Sequence, residues 1–306
     1  MNKLTLCFVA LIAYCGFSSC GGSDPSTLQE TTTRGNIRIA ADDAFRQMLD
    51  AELFVFHSEY KYAKVNPTYT SEGEAMKLLL DDSVRLAVIT RKLNESERAF
   101  LKSKDIFPKE TLIAYDALTF IVNKENPDTH ISFNALKALF TSPAKVENAP
   151  QIVFDSPKSG NARYLCELFG LKELPSHCYA LKTNEEVLKY VEANKNAIGV
   201  VGSNLISDPD DTLTQAFTSK IRVVGVSAQS DPDGKLGYRQ PYQEYIADGS
   251  YPFKREVYIV SREIGTRLGT GFASFVASDK GQRIILKSGL LPAVVPVRFV
   301  EINTEF

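Results

Sequence analysis

From Asn36 onward, short apolar runs of β type alternate with stretches whose apolar residues recur at helical spacing, which predicts βαβ units and a largely parallel sheet. Residues 37–40 read as a strand, and Asp42 or Asp43 can cap a helix carried by Phe45, Met48 and Leu49. Residues 63–69 are a second strand. Ser71-Glu72-Gly73-Glu74 has the form of a capping box before a helix over 75–80, and 85–89 is the third strand. Asn94-Glu95-Ser96-Glu97 opens a helix to about Lys102, and the apolar runs 112–115 and 118–122 carry the chain onward. Farther along, Ser132 caps a helix over 133–140, a strand covers 151–154, and a helix over 162–169 stops at Gly170. Thr183 or Asn184 caps 187–192, strands cover 197–201 and 257–260, and helices over 271–277 and 281–287 follow, the last ending at Gly289. No internal repeat of solenoid period is present, which excludes repeat architectures.

The amino terminus departs from this pattern. Met1-Asn2-Lys3 is a short positive start, and residues 4–17 form an apolar run of the length of a signal h-region, too short for a comfortable membrane span. The run ends in Phe17-Ser18-Ser19-Cys20, which resembles the lipobox of bacterial lipoproteins. Residues 1–19 are accordingly expected to be a signal peptide, with Cys20 lipidated as the new amino terminus. Residues 20–35, rich in Gly, Ser and Thr, then read as a flexible tether. The competing reading is an uncleaved anchor with Cys20 as a buried thiol.

Composition narrows the chemistry. At ~100 to 200 residues per domain, 306 residues suggest two compact units. Lys+Arg number 35 against 37 Asp+Glu, a net charge of −2 that becomes −3 once Lys3 leaves with the signal. With no basic excess and no Lys/Arg-rich run, nucleic-acid binding is disfavoured. His57, His130, His177, Cys166 and Cys178 show neither CxxC nor HxxxH spacing, which argues against zinc or iron-sulfur chemistry, and no cofactor is expected. Export makes a Cys166–Cys178 disulfide available, but spacing does not choose between a bridge and two thiols.

In open α/β sheets, ligands bind at the carboxyl ends of strands, where helix N-termini direct N–H groups into a crevice. Four strand-to-helix turns are candidates: Ala41-Asp42-Asp43, Thr70-Ser71-Glu72, Thr90-Arg91 and Ser156-Pro157-Lys158-Ser159-Gly160-Asn161. The last offers a hydroxyl, a residue without Cβ and an amide at a helix start, which is anion chemistry; alternatively, Ser159 only caps the helix. Arg91 can donate a fork to an oxyanion, and Lys158 can balance its charge. Asp42 and Asp43 are poorly placed as an acid/base pair because successive side chains diverge, and N-capping is the competing reading. There is no GxSxG, and Gly269-Thr270-Gly271 lacks the third glycine of a nucleotide loop.

Over about 36–300, the chain resembles the phosphate-binding, periplasmic binding protein-like component of ABC-type phosphate importers, especially the lipoprotein forms of Bacteroidetes-type bacteria. The matching stretches are Ser83-Val84-Arg85-Leu86-Ala87-Val88-Ile89-Thr90-Arg91, Ala197-Ile198-Gly199-Val200-Val201-Gly202, Phe272-Ala273-Ser274-Phe275-Val276, Gly281-Gln282-Arg283-Ile284-Ile285-Leu286-Lys287-Ser288-Gly289 and Pro292. The resemblance implies a two-lobed α/β fold of the type II binding-protein class with its ligand in the inter-lobe cleft. One lobe would comprise 36–115 and 252–306 and the other 116–251. It implies no catalysis, and capture of an oxyanion, foremost inorganic phosphate, for ABC permease subunits by an exported protein held to the membrane through a lipid anchor. The same fold could serve another small anion or a signalling role; a hydrolase using the acidic loop is a more distant alternative. Ligand contacts are expected from Asp42, Asp43, Ser71, Thr90, Arg91, Ser156, Lys158, Ser159, Gly160 and Asn161. The chain also departs from the family: relatives carry an arginine four positions before the loop serine, where this sequence has Asp155. A pocket carboxylate would suit hydrogen phosphate, which donates a proton, over fully ionised sulfate.

Overall fold

The computed structural model describes residues 29–142, 148–207 and 212–294. The signal run, the lipobox and Cys20 lie outside the described residues. The stretch expected as tether ends earlier than Gly35. Thr31 and Arg34 form a bridge, and Thr32 packs so tightly on Gly271 that a Cβ there would collide with the Thr32 carbonyl oxygen.

Twelve strands are present among the described residues. These are β1 (Arg34–Asp42), β2 (Tyr62–Thr70), β3 (Leu86–Ile89), β4 (Lys109–Asn123), β5 (His130–Ile131), β6 (Gln151–Phe154), β7 (Cys178–Ala180), β8 (Ala197–Gly202), β9 (Ile221–Val223), β10 (Gly225–Val226), β11 (Lys254–Ser261) and β12 (Leu291–Pro292). The main sheet runs β2-β1-β3-β11-β4-β8-β6-β7, with β9 and β12 also on β4, while β5 and β10 pair separately. The expected parallel arrangement holds only at the flanks, where β1 pairs with β2 and β3, and β6 with β7 and β8. At the centre, β4 and β11 carry the chain across the sheet and back, so their pairings are antiparallel. The apolar runs 112–115 and 118–122 are one strand of 15 residues, interrupted in the sequence by Asp116 but not in the structure.

The helices are α1 (Arg46–Glu59), α2 (Glu72–Leu80), α3 (Glu95–Lys102), α4 (Phe133–Thr141), α5 (Gly160–Phe169), α6 (Asn184–Ala193), α7 (Thr212–Thr218), α8 (Gln243–Ala247), α9 (Leu268–Val276) and α10 (Asp279–Lys287). α1 extends well past the expected Leu49, because its buried face continues through Glu52, Leu53 and Phe56 at three- and four-residue spacing. Asn94 and Glu97 complete a capping box. Ser71, by contrast, forms no side-chain cap; the Gly73 amide in that first turn donates to the Lys158 carbonyl at 3.2 Å. Gly170 ends α5 at φ 70°, a left-handed conformation that favours glycine.

Apolar packing gathers on either side of the sheet's centre. Beside β1, Phe56 meets Phe272 and Phe275 edge-on, each at 5.2 Å. Beside the second half of β4, Phe120 packs edge-on against Phe253 at 4.9 Å, with Phe133 and Phe169 around them. Each such ring contributes about 1.5 to 3 kcal/mol by leaving water, so the sheet is held from both halves. Cys166 and Cys178 are free thiols, and burial pushes Cys178 up to about 12. No described helix is long and apolar enough to cross a membrane, and no described cluster of His, Cys, Asp and Glu could hold a metal.

Candidate functional site

Register brings the carboxyl ends of the first strands level: Asp42 stands opposite Thr70, and Ala41 opposite Val88. Asp42 therefore closes β1 beside Glu72, the first residue of α2, and Thr90, the residue after β3. From the other half of the sheet, Asp155 follows β6 and the amino end of α5 faces these three. The approach is close. A Cβ on Gly160 would lie 2.7 Å from Thr90 Oγ1, 2.8 Å from Glu72 Oε2 and 3.3 Å from Asp42 Oδ2. Only glycine lets the α5 backbone come this near.

Two arginines complete the cluster. Arg163, in the first turns of α5, donates from Nε to Glu72 Oε1 at 2.6 Å and from Nη2 to Thr90 Oγ1 at 2.9 Å, while Nη1 reaches Glu167 at 2.6 Å. Arg255 on β11 donates to Asp116 Oδ2 from Nε at 2.9 Å and from Nη2 at 2.6 Å. The other Asp116 oxygen accepts from the Ser203 amide at 3.2 Å and its hydroxyl at 2.8 Å. Arg255 Nη1, Asn161 Oδ1 and Asn204 Oδ1 are buried without a hydrogen-bond partner among the described residues. Unmatched donors and acceptors of this kind cost about 1 to 3 kcal/mol each, so a ligand that satisfied them would gain by it.

The charges interact strongly. Burial, then the nearby Asp155 and Glu72, push Asp42 up to about 7, although Arg255 and the Ala44 amide pull the other way. Burial likewise raises Asp155, eased by Arg255 and the Asn161 amide. Burial works against the Glu72 charge too, but Arg163 and the Thr90 donors prevail and hold this carboxyl below its ordinary value. Near neutral pH the cluster thus offers both an ionised carboxylate and one that readily holds a proton. It can accept from a protonated oxyanion at one edge and donate to it at another.

The expected residues divide. Asp42, Thr90, Gly160 and Asn161 come together and are buried. Ser159 is buried beside them, but its hydroxyl accepts from the Ala162 amide at 3.3 Å and donates to the Ser156 carbonyl at 2.9 Å, so it caps α5. Ser156 is likewise engaged within its turn, its hydroxyl accepting from the Lys158 amide. The Lys158 side chain is exposed; its backbone carbonyl is what meets Gly73. Asp43 turns away to pair with Arg46 at 2.6 Å. Arg91 is forked onto Glu97, with both contacts at 2.7 Å, and stands 3.9 Å from Glu72. It is therefore not the open oxyanion fork that its loop position suggested. Ser71 neither caps nor bonds into the cluster.

Glu72, Asp116, Arg163 and Arg255 were missed. Arg163 had a legible signal: it lies four residues after Ser159, where the resemblance directed attention four residues before, to Asp155. Glu72 was hidden in an apparent capping box. A cavity of about 360 Å³ lined by Arg91, Lys92, Asn94, Arg163 and Glu167 opens beside the cluster. A larger one, about 630 Å³, lies among Arg38, Arg85, Arg262 and Arg267 at the opposite strand ends. There Arg262 donates to the Leu79 and Leu80 carbonyls, and Glu263 accepts from the first amides of α9, so that cavity is less suited to an anion.

Residues 26–280 match the model of the PBP superfamily domain. The phosphate-binding protein PstS of Staphylococcus aureus (strain USA300) is 26% identical over 287 residues, covering 89% of this chain and 81% of that protein. PstS of Staphylococcus epidermidis is 22% identical over 278 residues, covering 86% and 81%. Among solved structures, a putative phosphate ABC transporter substrate-binding protein with bound phosphate from Clostridium perfringens superposes with a TM-score of 0.70 at 20% identity, covering 85% of this chain and all of that one. An ABC-type phosphate transport receptor from Vibrio cholerae gives 0.62 at 16% identity, covering 84% of this chain and all of that one. The mixed sheet, the level strand ends and these matches agree: the chain belongs to the PBP superfamily and is a PstS-like, non-enzymatic member of it.

Proposed function

We propose that this protein is an extracytoplasmic receptor that captures an oxyanion, with inorganic phosphate as the ligand, and delivers it to an ABC importer. In this reading, residues 36–115 with 252–306 form one lobe and 116–251 the other, and lipidated Cys20 holds the protein at the membrane. The observation that carries the reading is the pairing of opposite hydrogen-bonding capacities in one buried cluster. Arg255 Nη1 is a donor without a partner among the described residues, while Asp42, pushed up to about 7, can accept from or donate to a ligand. Hydrogen phosphate uses both kinds of partner, whereas sulfate has no proton to give a carboxylate. The names of the staphylococcal relatives, and the bound phosphate of the C. perfringens protein, support the same ligand.

A second reading keeps the fold and dispenses with a free ligand, as in a scaffold or signalling lipoprotein. One observation favours it: Glu72 already neutralises Arg163. A thermal-shift screen with phosphate, sulfate, molybdate and small carboxylates separates the two. A ligand at ~100 times its dissociation constant stabilises by about 2.7 kcal/mol, and the first reading expects that shift with phosphate and not sulfate. A flat response to every anion would leave the scaffold reading standing.

A further inference from the structure

The Glu72 side chain has the hydrogen-bond pattern of a bound anion. Its Oε2 accepts from the Thr90 amide at 2.7 Å and from the Thr90 hydroxyl, and its Oε1 accepts from Arg163 Nε at 2.6 Å. These donors come from the strand end after β3 and from α5, the two elements between which an oxyanion would lie. The carboxylate also faces the amino end of α5, since the position of a Cβ on Gly160 is 2.8 Å from Oε2. The side chain is shut off from solvent, at 3% exposed, so it is not a surface residue that happens to reach an arginine.

We propose that Glu72 is a resident occupant of the oxyanion position, which an incoming ligand must displace, so that Glu72 sets both the affinity and the charge of what the site accepts. The inference rests on the oxyanion reading above. Charge bookkeeping is its main support. Arg163 is paired with Glu72 and Glu167, and Arg255 with Asp116, so with Glu72 in place no arginine in the cluster retains an uncompensated positive charge. A dianion entering this arrangement meets Asp42, Asp155 and Glu72 without a surplus cation. Once the Glu72 carboxylate withdraws, the Thr90 amide and hydroxyl and Arg163 Nε become free together, a set of donors suited to two oxygens of a tetrahedral oxyanion. Until then the Arg163 to Glu72 contact holds α5 against the β1 to β3 side with no ligand present. The ligand class is therefore an oxyanion able to replace a carboxylate, and the wild-type protein binds it more weakly than its donor set would allow.

Glu72→Gln keeps the shape and removes the charge. In calorimetric titration with sodium phosphate, the variant is expected to bind about tenfold tighter than wild type. Glu72→Asp retains the charge but draws it back by one methylene; it is also expected to bind phosphate more tightly, and it guards against a folding defect in the first variant. Glu72→Ala leaves the position empty, and sodium acetate at fixed ionic strength should raise the melting temperature of this variant and not of wild type. If phosphate binds wild type measurably but binds Glu72→Gln no more tightly, the proposal is overturned, and Glu72 is a buttress or a direct ligand contact. If acetate stabilises Glu72→Ala while phosphate binds neither wild type nor Glu72→Gln, the occupant stands and the phosphate reading falls. If neither probe acts on any form, both are overturned.

Discussion

Arg255 and Asp116 are register partners on the antiparallel strands β11 and β4, and the guanidinium reaches the carboxylate at 2.6 and 2.9 Å with both side chains shut off from solvent. The pair is embedded where the two halves of the sheet share β4. Removing one member of a buried pair leaves the other charge without compensation, at a cost of about 3 to 5 kcal/mol. Asp116→Asn should therefore lower the melting temperature sharply. If Arg255 belongs to the anion site, phosphate should restore more stability to this variant than it adds to wild type, because it supplies the missing negative charge. Equal phosphate shifts in the two proteins would place Arg255 outside the site.

Two buried acids tie stability to pH. Asp42 moves from 3.8 to about 7 on folding, and Glu52, whose oxygens have no hydrogen-bond partner among the described residues, moves from 4.5 to about 9. In each case the folded state holds a proton that the unfolded chain has released. The contribution is therefore fully present below the unfolded value and is lost as pH rises, by about pH 7 for Asp42 and pH 9 for Glu52. At ~1.4 kcal/mol per unit, the Asp42 shift alone is on the order of 4 kcal/mol. Asp42→Asn and Glu52→Gln should each flatten the fall in stability between mild acid and pH ~8. Urea unfolding at several pH values measures this, and slopes unchanged from wild type would show that these acids ionise freely in the fold.

Legibility in the sequence followed the range of the interaction. Asn94 with Glu97, Ser132 and Gly170 announce their helix ends because each cap is made within a few residues. Asp42 and Gly160 were also accessible, since strand ends and helix starts are local signals. Arg255 and Asp116 were not, because they are 139 residues apart and meet only through strand register. Asp116 misled in a related way: a polar residue in an apolar stretch looks like an element boundary, yet it lies within β4. Arg91 looked available because sequence does not reveal that Glu97, six residues on, folds back to hold it.

The two arginines near Glu72 make opposite predictions. Arg91 is engaged with Glu97 at the edge of the cluster, its side chain 21% exposed, so Arg91→Ala should cost no more than about 1 kcal/mol. Phosphate affinity should be almost unaffected. Arg163→Ala removes the donor to both Glu72 and Thr90. Its phosphate affinity should fall by about ten- to a hundredfold. Calorimetric titration of both variants decides the matter, and a larger loss in Arg91→Ala would reverse the assignment.

Lipid attachment is testable independently of the fold. If Cys20 of Phe17-Ser18-Ser19-Cys20 carries the anchor, Cys20→Ala should move the protein from the membrane pellet to the soluble fraction after cell disruption. Unchanged partitioning would point to the apolar run before it as the anchor.

The turn from Ser156 to Asn161 separates capping from ligand contact within adjacent residues. The Ser159 hydroxyl is engaged at both ends, accepting from the Ala162 amide and donating to the Ser156 carbonyl. Ser159→Ala should thus cost about 1 kcal/mol of stability, as an N-cap does, and leave phosphate affinity nearly intact. At Gly160 the backbone amide is 3.4 Å from Asp42 Oδ2, and a Cβ would approach Thr90 Oγ1 to 2.7 Å. Real side chains do not tolerate that contact, so either α5 or the Thr90, Glu72 and Asp42 side chains must shift to admit even a methyl group. Gly160→Ala should weaken phosphate binding, and Gly160→Val should weaken it further by holding the two sides of the cluster apart. Because Ala and Val both have a higher helix propensity than the glycine they replace, the melting temperature should fall less than the affinity. Titration and melting curves on the three variants test the division. Wild-type affinity in Gly160→Val would mean that the anion does not bind against the amino end of α5, and a large affinity loss in Ser159→Ala would return its hydroxyl to the ligand.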